Sequence, residues 1–415
     1  MTFESFDFHP HIVAGVKAVG YTTPTPIQTQ TIPPILQNKD VMGLAQTGTG
    51  KTAAFALPIL QRLMNGPRRK LRALVIAPTR ELAEQICESF TELGQKTGLR
   101  AMTVYGGVGM GPQLRGLRDG AEIVVACPGR LLDHIQRGSI NLTGVEVLVL
   151  DEADRMFDMG FLPSIRQVIK SLPARRQTLL FSATMPDDIR RLAKEILHDP
   201  VTVEIGLTAP LEAVSHALYP VEQGLKTGLL MELLRNTDTE SVLVFTRTKH
   251  RAKRVAQQLS AAGHGATCLQ GNLSQNARQT ALNGFRDGTF QILVATDIAA
   301  RGIDVSTISH VVNYDMPNTA DDYTHRIGRT GRAAKTGDAY TMVSPDDEAM
   351  VRSIERVMGC RLERRHVKGF EYTASAPKGE FNRAPRPPRP TSQRSKPAAA
   401  GVSPWSQSRR TRSGR

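Results

Sequence analysis

One glycine-rich segment of the sequence, AQTGTGKT, has the composition of a loop that binds phosphate groups. It follows a short apolar run and precedes a stretch of helical periodicity, so backbone N–H groups and the positive end of a helix dipole would face the same anion. Lys51 can reach the outer phosphates, and the Thr52 hydroxyl can ligate Mg²⁺. The strict motif has glycine where this chain has Ala45. The strand-loop-helix context still favours phosphate binding over a glycine turn with a solvent-facing lysine. The predicted contacts are Ala45, Gln46, Thr47, Gly48, Thr49, Gly50, Lys51 and Thr52.

A second group of reactive side chains closes the apolar run LVLDEAD, which ends in three carboxylates. Ligands of open α/β folds bind at the carboxyl ends of parallel strands. Asp151 is suited to hold Mg²⁺ through water, as the acidic partner of a phosphate loop does. Glu152 beside it is suited to accept a proton from an attacking water. A solvated acidic loop is the alternative reading, and the buried strand before the acids disfavours it.

The elements that must position these groups are short β-branched runs that alternate with longer stretches of helical period. Continuous apolar strands separated by helices are typical of parallel sheets buried on both faces. The predicted fold class is therefore α/β, with two parallel-sheet domains in tandem. The predicted strands are 41–45, 73–77, 123–126, 147–150 and 179–181 in a first series and 242–245, 292–295 and 311–314 in a second.

The domain organisation follows from breaks in this pattern. Residues 206–215 hold turn formers without a strong period, so a linker is expected there. From about residue 367 the sequence becomes rich in Pro, Arg, Ser, Ala and Gly, which is typical of an extended, unpacked segment. The predicted organisation is a first domain over 1–207, a linker over 208–215, a second domain over 216–366 and a disordered basic tail over 367–415.

Length and charge point to a polyanionic partner. A chain of 415 residues suits two domains and an additional segment. Residues 374–415 hold ten Lys and Arg and one acid, so they carry +9 of the net charge of +14. Such a tail suggests nucleic acid as a partner, and a tail that only keeps the protein soluble is the alternative.

Composition also excludes several classes of protein. No apolar run approaches the roughly 18 residues of a membrane span, and the acidic, aromatic start does not resemble a signal peptide. The four cysteines are far apart in the sequence and lack metal-ligand spacing, so reduced thiols are expected. We therefore expect a cytoplasmic protein without a membrane contact.

The motifs and their order resemble those of the DEAD-box RNA helicases from residue 3 to about residue 344. Besides AQTGTGKT and DEAD, the first half contains GYTTPTPIQ, PTRELAEQ, a Gly-Gly pair, CPGR and SAT, and the second half contains VLVFTRTK, ATDIAARGID and HRIGRTGR. The segment QGNLSQNAR, with DEADRMFDMGF and the short basic tail, is most similar to the bacterial RhlE branch. The resemblance implies two RecA-like domains and an RNA-dependent ATPase that uses ATP and Mg²⁺ to unwind short RNA duplexes or remodel RNA–protein complexes.

The resemblance assigns further residues to the nucleotide. It implies that Gln28 reads the adenine edge, that Phe3 is the upstream aromatic residue and that Asp304 holds the ribose. Ser182 and Thr184 would couple hydrolysis to unwinding.

In the second half, His325 would link to the first domain, and Arg329 and Arg332 would act as arginine fingers. The spacing of the motifs adds a physical reason, because the phosphate loop and the acids lie in one domain and the densest arginine cluster lies in the other. A guanidinium from a second domain accelerates hydrolysis only when the domains close. A solvated basic turn is the alternative reading of these arginines.

The resemblance also implies an RNA surface that contacts phosphate and 2′-OH groups and reads no base sequence. Its residues would be Pro78, Thr79, Arg80, Gly106, Gly107, Pro128, Gly129, Arg130, Thr246, Arg247, Gly271, Thr296 and Asp297. Cys127 stands where the family usually has Thr, so no hydroxyl contact is assigned there. QGNLSQNAR replaces a more usual His-Gly-Asp opening, so Gln270 and Asn272 receive no side-chain role.

The expected partner is single-stranded RNA or a short duplex, for example in ribosomal precursors or RNA-decay complexes, and the chain is expected to act as a monomer. Two other function classes stay open. One is a clamp that uses ATP only to lock onto RNA as a platform for partners. The other is an NTPase that acts on DNA or without nucleic acid, which the GYTTPTPIQ and HRIGRTGR motifs disfavour.

Overall fold

The computed structural model of the chain describes residues 2–46, 48–205, 214–237, 240–300, 308–331 and 337–372. Three predicted site residues, Thr47, Asp304 and Arg332, lie outside these ranges, as does the basic segment from residue 373. Among the helices within the described ranges, none has the length and apolar character needed to cross a bilayer.

The first lobe is a seven-stranded parallel sheet with helices on both faces. The strands are β1 (Val41–Leu44), β2 (Ala73–Ile76), β3 (Ala101–Val104), β4 (Ile123–Ala126), β5 (Val147–Leu150), β6 (Gln177–Ser182) and β7 (Val201–Glu204). Their order in the sheet is β3-β4-β2-β5-β6-β1-β7. The helices are α1 (Pro10–Ala18), α2 (Pro26–Leu36), α3 (Lys51–Met64), α4 (Arg80–Leu93), α5 (Met110–Asp119), α6 (Pro128–Gln136), α7 (Ala153–Asp158), α8 (Leu162–Lys170) and α9 (Asp187–Ile196). A short 3-10 helix, Phe3–Phe6, precedes them.

The second lobe repeats this architecture in another seven-stranded parallel sheet. The strands are β8 (Val214–Pro220), β9 (Val242–Phe245), β10 (Ala266–Leu269), β11 (Ile292–Ala295), β12 (His310–Asn313), β13 (Gly337–Val343) and β14 (Glu363–Arg364). Their order in the sheet is β10-β11-β9-β12-β13-β8-β14. The helices are α10 (Lys226–Asn236), α11 (Lys249–Ala261), α12 (Gln275–Arg286), α13 (Asp297–Ala300), α14 (Ala320–Ile327) and α15 (Glu348–Met358). Both lobes belong to one compact unit.

The eight strands predicted from apolar runs are all present, and the α/β class with two parallel sheets is confirmed. The central strands β2, β4 and β5 are buried along their whole length, as their continuous apolar sequences require. The strands that the sequence did not indicate are mostly at the edges of the sheets, for example β3 (AMTV) and β10 (ATCL). Their half-buried, partly polar sequences give no strong periodicity.

Two expected boundaries differ from the structure. Most of the expected linker, residues 206–213, lies outside the described residues, but Val214 and Ser215 already pair with β13 as the start of β8. Likewise, Val367, Phe370 and Tyr372 pack against the core of the second lobe, although the composition changes at residue 367. Aromatic side chains provide enough apolar surface for this short segment to pack.

Strand order decides which loops meet. In the first lobe β6 lies between β5 and β1, so the loops that follow these three strands share one edge of the sheet. These loops carry the phosphate-loop sequence after β1, the acidic sequence after β5 and SAT after β6. The fold therefore brings three separate sequence motifs to one place, at the carboxyl ends of parallel strands.

Candidate active site and interlobe cleft

The phosphate-loop sequence forms a tight turn into α3. Gly48 and Gly50 have φ values of 87° and 91°, in the left-handed region that glycine adopts without strain. Lys51 is the first residue of α3 and is buried, and its Nζ donates a hydrogen bond of 2.8 Å to the Ala45 carbonyl. The loop therefore presents a helix N-terminus with a lysine folded across it, which is the geometry of an anion site.

Gln28 holds this loop in place. Its buried Nε2 donates to the carbonyl of Gly50 at 3.1 Å, and its Oε1 accepts from the Thr25 backbone N–H at 2.9 Å. The Thr25 hydroxyl donates to the Thr49 carbonyl at 2.8 Å. A primary amide has two N–H donors and two acceptor lone pairs, so Gln28 keeps one of each for a further partner. The structure adds a loop-fixing contact to the adenine contact that the resemblance implies for Gln28.

The upstream aromatic residue lies behind another ring. Phe3 is 5% exposed and stacks on Tyr21, with ring centroids 6.1 Å apart and an interplanar angle of 20°. Tyr21 is 43% exposed. Of the two rings, that of Tyr21 is the more accessible, so the role that the resemblance implies for Phe3 stays a prediction. Sequence reasoning assigned no role to Tyr21, although it stands inside GYTTPTPIQ.

The acidic residues after β5 are buried together. Burial raises the pKa of Asp151 from 3.8 to about 6, and the nearby Lys51 opposes that rise. Glu152 has a φ of 53° and lies with its Oε2 3.4 Å from Arg155 Nε. A non-glycine residue in the left-handed region is strained, and such strain clusters at functional sites.

The acids and Thr52 supply the hard oxygen ligands that Mg²⁺ prefers. In the described part of the chain no three His, Cys, Asp or Glu side chains are arranged to hold a metal ion by themselves. Protein sites for Mg²⁺ commonly contribute only one or two carboxylates and leave the remaining positions to phosphate oxygens and water. A buried carboxylate with a raised pKa also gains from a neighbouring cation, so the residues present fit such an ion.

Asp154 connects the acidic loop to SAT. Its Oδ2 accepts from the backbone N–H groups of Ala183 and Thr184, at 3.2 and 3.0 Å, and from the Thr184 hydroxyl at 3.2 Å. The Ser182 hydroxyl accepts from the Asp154 N–H and donates to the Thr184 carbonyl. Sequence reasoning gave Asp154 no role of its own, because spacing cannot show which acid of a cluster binds the neighbouring loop.

The second lobe meets this site directly. His325 Nε2 lies 3.9 Å from Asp154 Oδ2, and we call this contact, with Arg155 and Arg329 beside it, the nucleotide seam. Burial first and the nearby Arg155 second lower the pKa of His325 to about 4, against the opposing effect of Asp154. Arg329 is buried and lines the same small cavity. In addition, a Cβ on Gly328 would lie 4.0 Å from Gln46 Oε1 in the phosphate loop.

Arg326, which belongs to the same arginine cluster, is fixed inside its own lobe. It makes a two-pronged ion pair with Asp297 at 2.6 and 2.8 Å, and it donates to the Asn313 side chain and the Asp315 carbonyl. Its guanidinium also lies 5.0 Å from the centre of the Phe245 ring. These contacts hold α14 in the orientation that presents His325 and Arg329 to the first lobe.

A second opening between the lobes is a cleft of about 350 Å³. It collects residues that the sequence assigned to RNA from both lobes: Pro78, Thr79, Arg80, Gly106, Gly129, Arg130 and Gly271. Gly107 lies under Arg80, because a Cβ there would be 2.2 Å from Arg80 Nη1. Pro128 is buried at the first turn of α6, and Arg247 is exposed at the end of β9. Cys127, Met159, Phe161 and Ile298 also line the cleft.

Three of the residues assigned to RNA contact the protein itself. The Thr246 hydroxyl is fully buried and points to the carbonyls of Thr248 and Ala295, and the Asp297 carboxylate is paired with Arg326. The Thr79 hydroxyl caps α4 by accepting from Leu82 N–H. Thr246 and Asp297 therefore use these side-chain groups within their own lobe in this structure, and an RNA contact from either residue stays a prediction. Thr296 lies at the start of α13 and is half-buried.

The lobes also meet beside this cleft through a contact that sequence reasoning missed. Glu81 Oε1 pairs with Arg278 at 2.6 Å from Nη2 and 2.7 Å from Nε, and both side chains are buried. Arg80 Nη1 donates to Gln275 Oε1 at 3.2 Å. We call these four residues the cleft seam. A charged residue on the buried face of a helix, such as Glu81 on α4, is the one signal in the sequence that could have indicated a partner.

Two parallel-sheet lobes, with a phosphate loop and acids on one and arginines on the other, define a two-lobed nucleoside triphosphatase. Comparison with family models narrows this class: residues 25–192 match the DEAD/DEAH box helicase model, and residues 225–334 match the helicase conserved C-terminal domain. The chain belongs to the DEAD-box family of ATP-dependent RNA helicases.

Named relatives are similar over most of the chain. The DEAD-box ATP-dependent RNA helicase CshA of Bacillus subtilis is 42% identical over 365 residues, which are 88% of this chain and 74% of that protein. The ATP-dependent RNA helicase DeaD of Mycobacterium tuberculosis is 44% identical over 357 residues, which are 86% of this chain and 63% of that protein.

Solved structures agree on the fold. Dbp5 of S. cerevisiae, bound to RNA and ADP BeF3, has a TM-score of 0.80 at 30% identity and covers 88% of this chain and 96% of its own. A DEAD box protein from Methanococcus jannaschii has a TM-score of 0.53, although its identity is 36% over 88% of this chain and 99% of its own. The RecA-like fold of both lobes is thus confirmed. The chain as a whole superposes better on the RNA- and nucleotide-bound Dbp5 than on the Methanococcus jannaschii protein.

Proposed function

We propose that this protein binds ATP·Mg²⁺ and single-stranded RNA across both lobes, so that lobe closure pries short duplexes apart or remodels RNA–protein complexes, and hydrolysis reopens the lobes. The observation that carries this proposal is the pair of seams, because the same closure brings Asp154 to His325 and Glu81 to Arg278. Two ligands that both favour one closed state must tighten each other's binding. The names of the relatives and the RNA bound to Dbp5 support RNA as the polymer.

On the nucleotide side, the phosphate loop from Ala45 to Thr52 would wrap the phosphates, with Lys51 turning from the Ala45 carbonyl to the outer phosphate. Gln28 would use its remaining N–H and lone pair for the adenine edge, and Tyr21, stacked on Phe3, would offer its face to the base. Unpaired polar groups would then disfavour other bases. Asp304 would hold the ribose.

For hydrolysis, Glu152 would take a proton from the attacking water at its carboxylate, and Thr52 with Asp151 would hold Mg²⁺. The ion, when bound, neutralises phosphate charge during phosphoryl transfer. Arg329 and Arg332 would stabilise the charge that develops on the outer phosphate, and only in the closed state. Ser182 and Thr184, through Asp154, would transmit the state of the phosphate site to His325.

On the RNA side, Arg80, Arg130 and Arg247 would contact phosphates, and the backbone of Gly106, Gly129, Gly271 and Thr296 would approach the strand closely. Phosphate and 2′-OH contacts carry no base sequence, so substrate choice would be broad. We place the protein in the RhlE branch, in the cytoplasm and as a monomer, with ribosomal precursors or RNA-decay complexes as substrates. The domain division stays a proposal, with a first domain over 1–207 and a second over 216–366, to which the pairing of Val214 and Ser215 and the packing of residues up to Tyr372 add a few residues at each end.

Strand displacement and ATPase assays test this function. Lys51→Ala should abolish ATP-dependent unwinding, and Glu152→Gln should give a closed complex that retains RNA and turns ATP over more than a hundredfold more slowly. Parent-rate turnover in Glu152→Gln would show that another group is the base. Displacement driven equally well by a non-hydrolysable analogue would favour a clamp, and stimulation of the ATPase by DNA as strong as by RNA would favour the general NTPase.

A further inference from the structure

The end of the first lobe opposite the cleft carries a concentration of exposed cations. Strands β2, β3 and β4 each lead at their carboxyl end into a motif assigned to RNA. The loops at their amino ends come together on the other side of the sheet. These three loops and the last turn of α5 carry what we call the basic patch: Arg68, Arg69, Lys70, Lys96, Arg100 and Arg118, all of them exposed.

The loops that carry the patch are held together by one buried acid. Glu122, only 2% exposed, accepts from the backbone N–H of Arg69 at 2.8 Å through Oε1 and from that of Arg100 at 2.9 Å through Oε2. The Arg68 guanidinium donates to the Thr97 carbonyl, and that of Arg100 donates to the Asp119 carbonyl. The carboxylate of Glu122 is thus used by backbone groups.

The side-chain charges of the patch stay available to a partner. Within the described residues, none of the six cations takes part in a salt bridge. Glu92 and Asp119 are the exposed acids at the ends of the elements that carry the patch. The surface therefore keeps an excess of positive charge that the fold does not neutralise.

Arg69 adds a second, independent observation. Its φ is 57°, in the left-handed region, and its Cα and carbonyl oxygen pack so closely on Gly120 that a Cβ there would lie 2.7 Å from each. Glycine or asparagine would adopt this conformation at lower cost. Strained residues that are held in place by surrounding contacts cluster at functional sites such as ligand clamps. The side chain at this strained position is an exposed guanidinium.

We propose that the basic patch binds the phosphates of an RNA duplex next to the single strand held in the cleft; this proposal rests on the function proposed above. The patch loops, NGPRRKL, QKTGLR and LRDGAE, contain no aromatic side chain on which unpaired bases could stack. Double-stranded RNA is bound through its shape and its phosphates, which suits such a surface.

The geometry allows one RNA to reach both places. From Arg100 to Gly106 the chain runs along the four-residue edge strand β3 and just beyond it, and six steps of extended chain span at most roughly 20 Å. A nucleic acid strand covers that distance with about six nucleotides. Duplex RNA with a single-stranded extension would therefore be anchored on the first lobe while closure acts on the strand in the cleft.

The test compares two RNAs on the full chain: a short hairpin with a single-stranded extension, and the extension alone. The variant R68S/R69N/K70S removes three charges, and Asn at residue 69 tolerates the left-handed conformation. The ratio of its affinities for the hairpin and for the extension alone should fall about tenfold. The slope of the logarithm of hairpin affinity against the logarithm of salt concentration should become shallower by the equivalent of about two to three phosphate contacts. The variant R100S/R118S, on the other two loops, should shift both quantities in the same direction.

A charge-matched control is K170S/R190S/K194S, which removes three exposed cations from α8 and α9. It should leave the affinity ratio at the parent value. An unchanged ratio in both patch variants, or an equal loss on both RNAs, would overturn the proposal. The proposal would also be overturned if the patch variants bound both RNAs like the parent but no longer bound an acidic protein, because the patch would then be a protein-docking surface. If the parent protein shows no RNA-stimulated ATPase, the proposed function itself is wrong; if it does and only the ratio fails, the patch proposal alone is wrong.

Discussion

The two seams between the lobes are built from different chemistry. The cleft seam centres on a buried ion pair between Glu81 and Arg278, with two nitrogens within 2.7 Å of one oxygen. The nucleotide seam centres on His325 at 3.9 Å from Asp154, and burial keeps the pKa of that histidine near 4. Breaking a buried ion pair by removing one partner is costly, whereas a neutral histidine beside several charges responds to small changes around it. The cleft seam is thus suited to latch the closed state, and the nucleotide seam is suited to sense what the phosphate site holds.

The largest expected effect concerns the buried ion pair of the cleft seam. Arg278→Ala leaves Glu81 buried without its partner in the closed state, at a cost of about 3–5 kcal/mol. The open state is affected less, so kcat/KM for RNA in the ATPase assay should fall a hundredfold or more. Arg286→Ala, an exposed arginine on the same helix, is the control and should stay within about twofold of the parent.

A double variant sharpens this prediction. Glu81→Gln with Arg278→Gln removes both charges, so it should recover part of the loss. If Arg278→Ala alone behaves like the Arg286→Ala control, the ion pair does not stabilise the closed state.

The next effect concerns the phosphate site. The pKa of Asp151 is raised to about 6, so the folded protein holds that proton more tightly than the unfolded chain does. The free energy of unfolding of the ligand-free protein therefore falls as the pH rises from about 4 to 6 and the carboxylate ionises. Above that range the full loss is about 3 kcal/mol. Asp151→Asn should abolish ATPase activity and raise the urea midpoint at pH 7, with a smaller gain at pH 5. An equal or lower midpoint at pH 7 would contradict this account of the site.

His325 in the nucleotide seam should make the closed state less stable as the pH falls, which is the opposite of the effect expected for Asp151. The pKa of His325 is lowered from 6.5 to about 4, so its buried, neutral form loses stability as the pH falls from 6.5 towards 4. Affinity for RNA in the presence of a non-hydrolysable ATP analogue should fall about tenfold between pH 7.5 and 5.5. His325→Gln should weaken that dependence, and an unchanged dependence would place the titrating group elsewhere.

The smallest effect is on adenine. Tyr21→Ala removes the exposed ring stacked on Phe3, and an aromatic contact of about 1 kcal/mol corresponds to a rise of about fivefold in KM for ATP. Tyr21→Phe should retain the parent value. A change in kcat instead of KM would show that Tyr21 acts on the chemical step.

The sequence allowed the central strands and both ligand regions to be predicted, because buried parallel strands are continuously apolar and their ends carry the motifs. It did not indicate β3 and β10, whose edge positions leave them half polar. Within the site, residue type showed that Asp154 is acidic, but only the fold shows that it binds the SAT loop and faces His325. Thr246 and Asp297 were assigned to RNA, and their burial and pairing depend on tertiary neighbours that no local pattern reports.

The central claim is that one closure serves both ligands, and reciprocal binding measurements test it most directly. The affinity for single-stranded RNA is measured with and without a non-hydrolysable ATP analogue, and the affinity for the analogue is measured with and without RNA. The account predicts that each ligand tightens the other by the same factor, and that Arg278→Ala removes most of that factor from both measurements. Affinities that do not depend on the other ligand in the parent protein would contradict it.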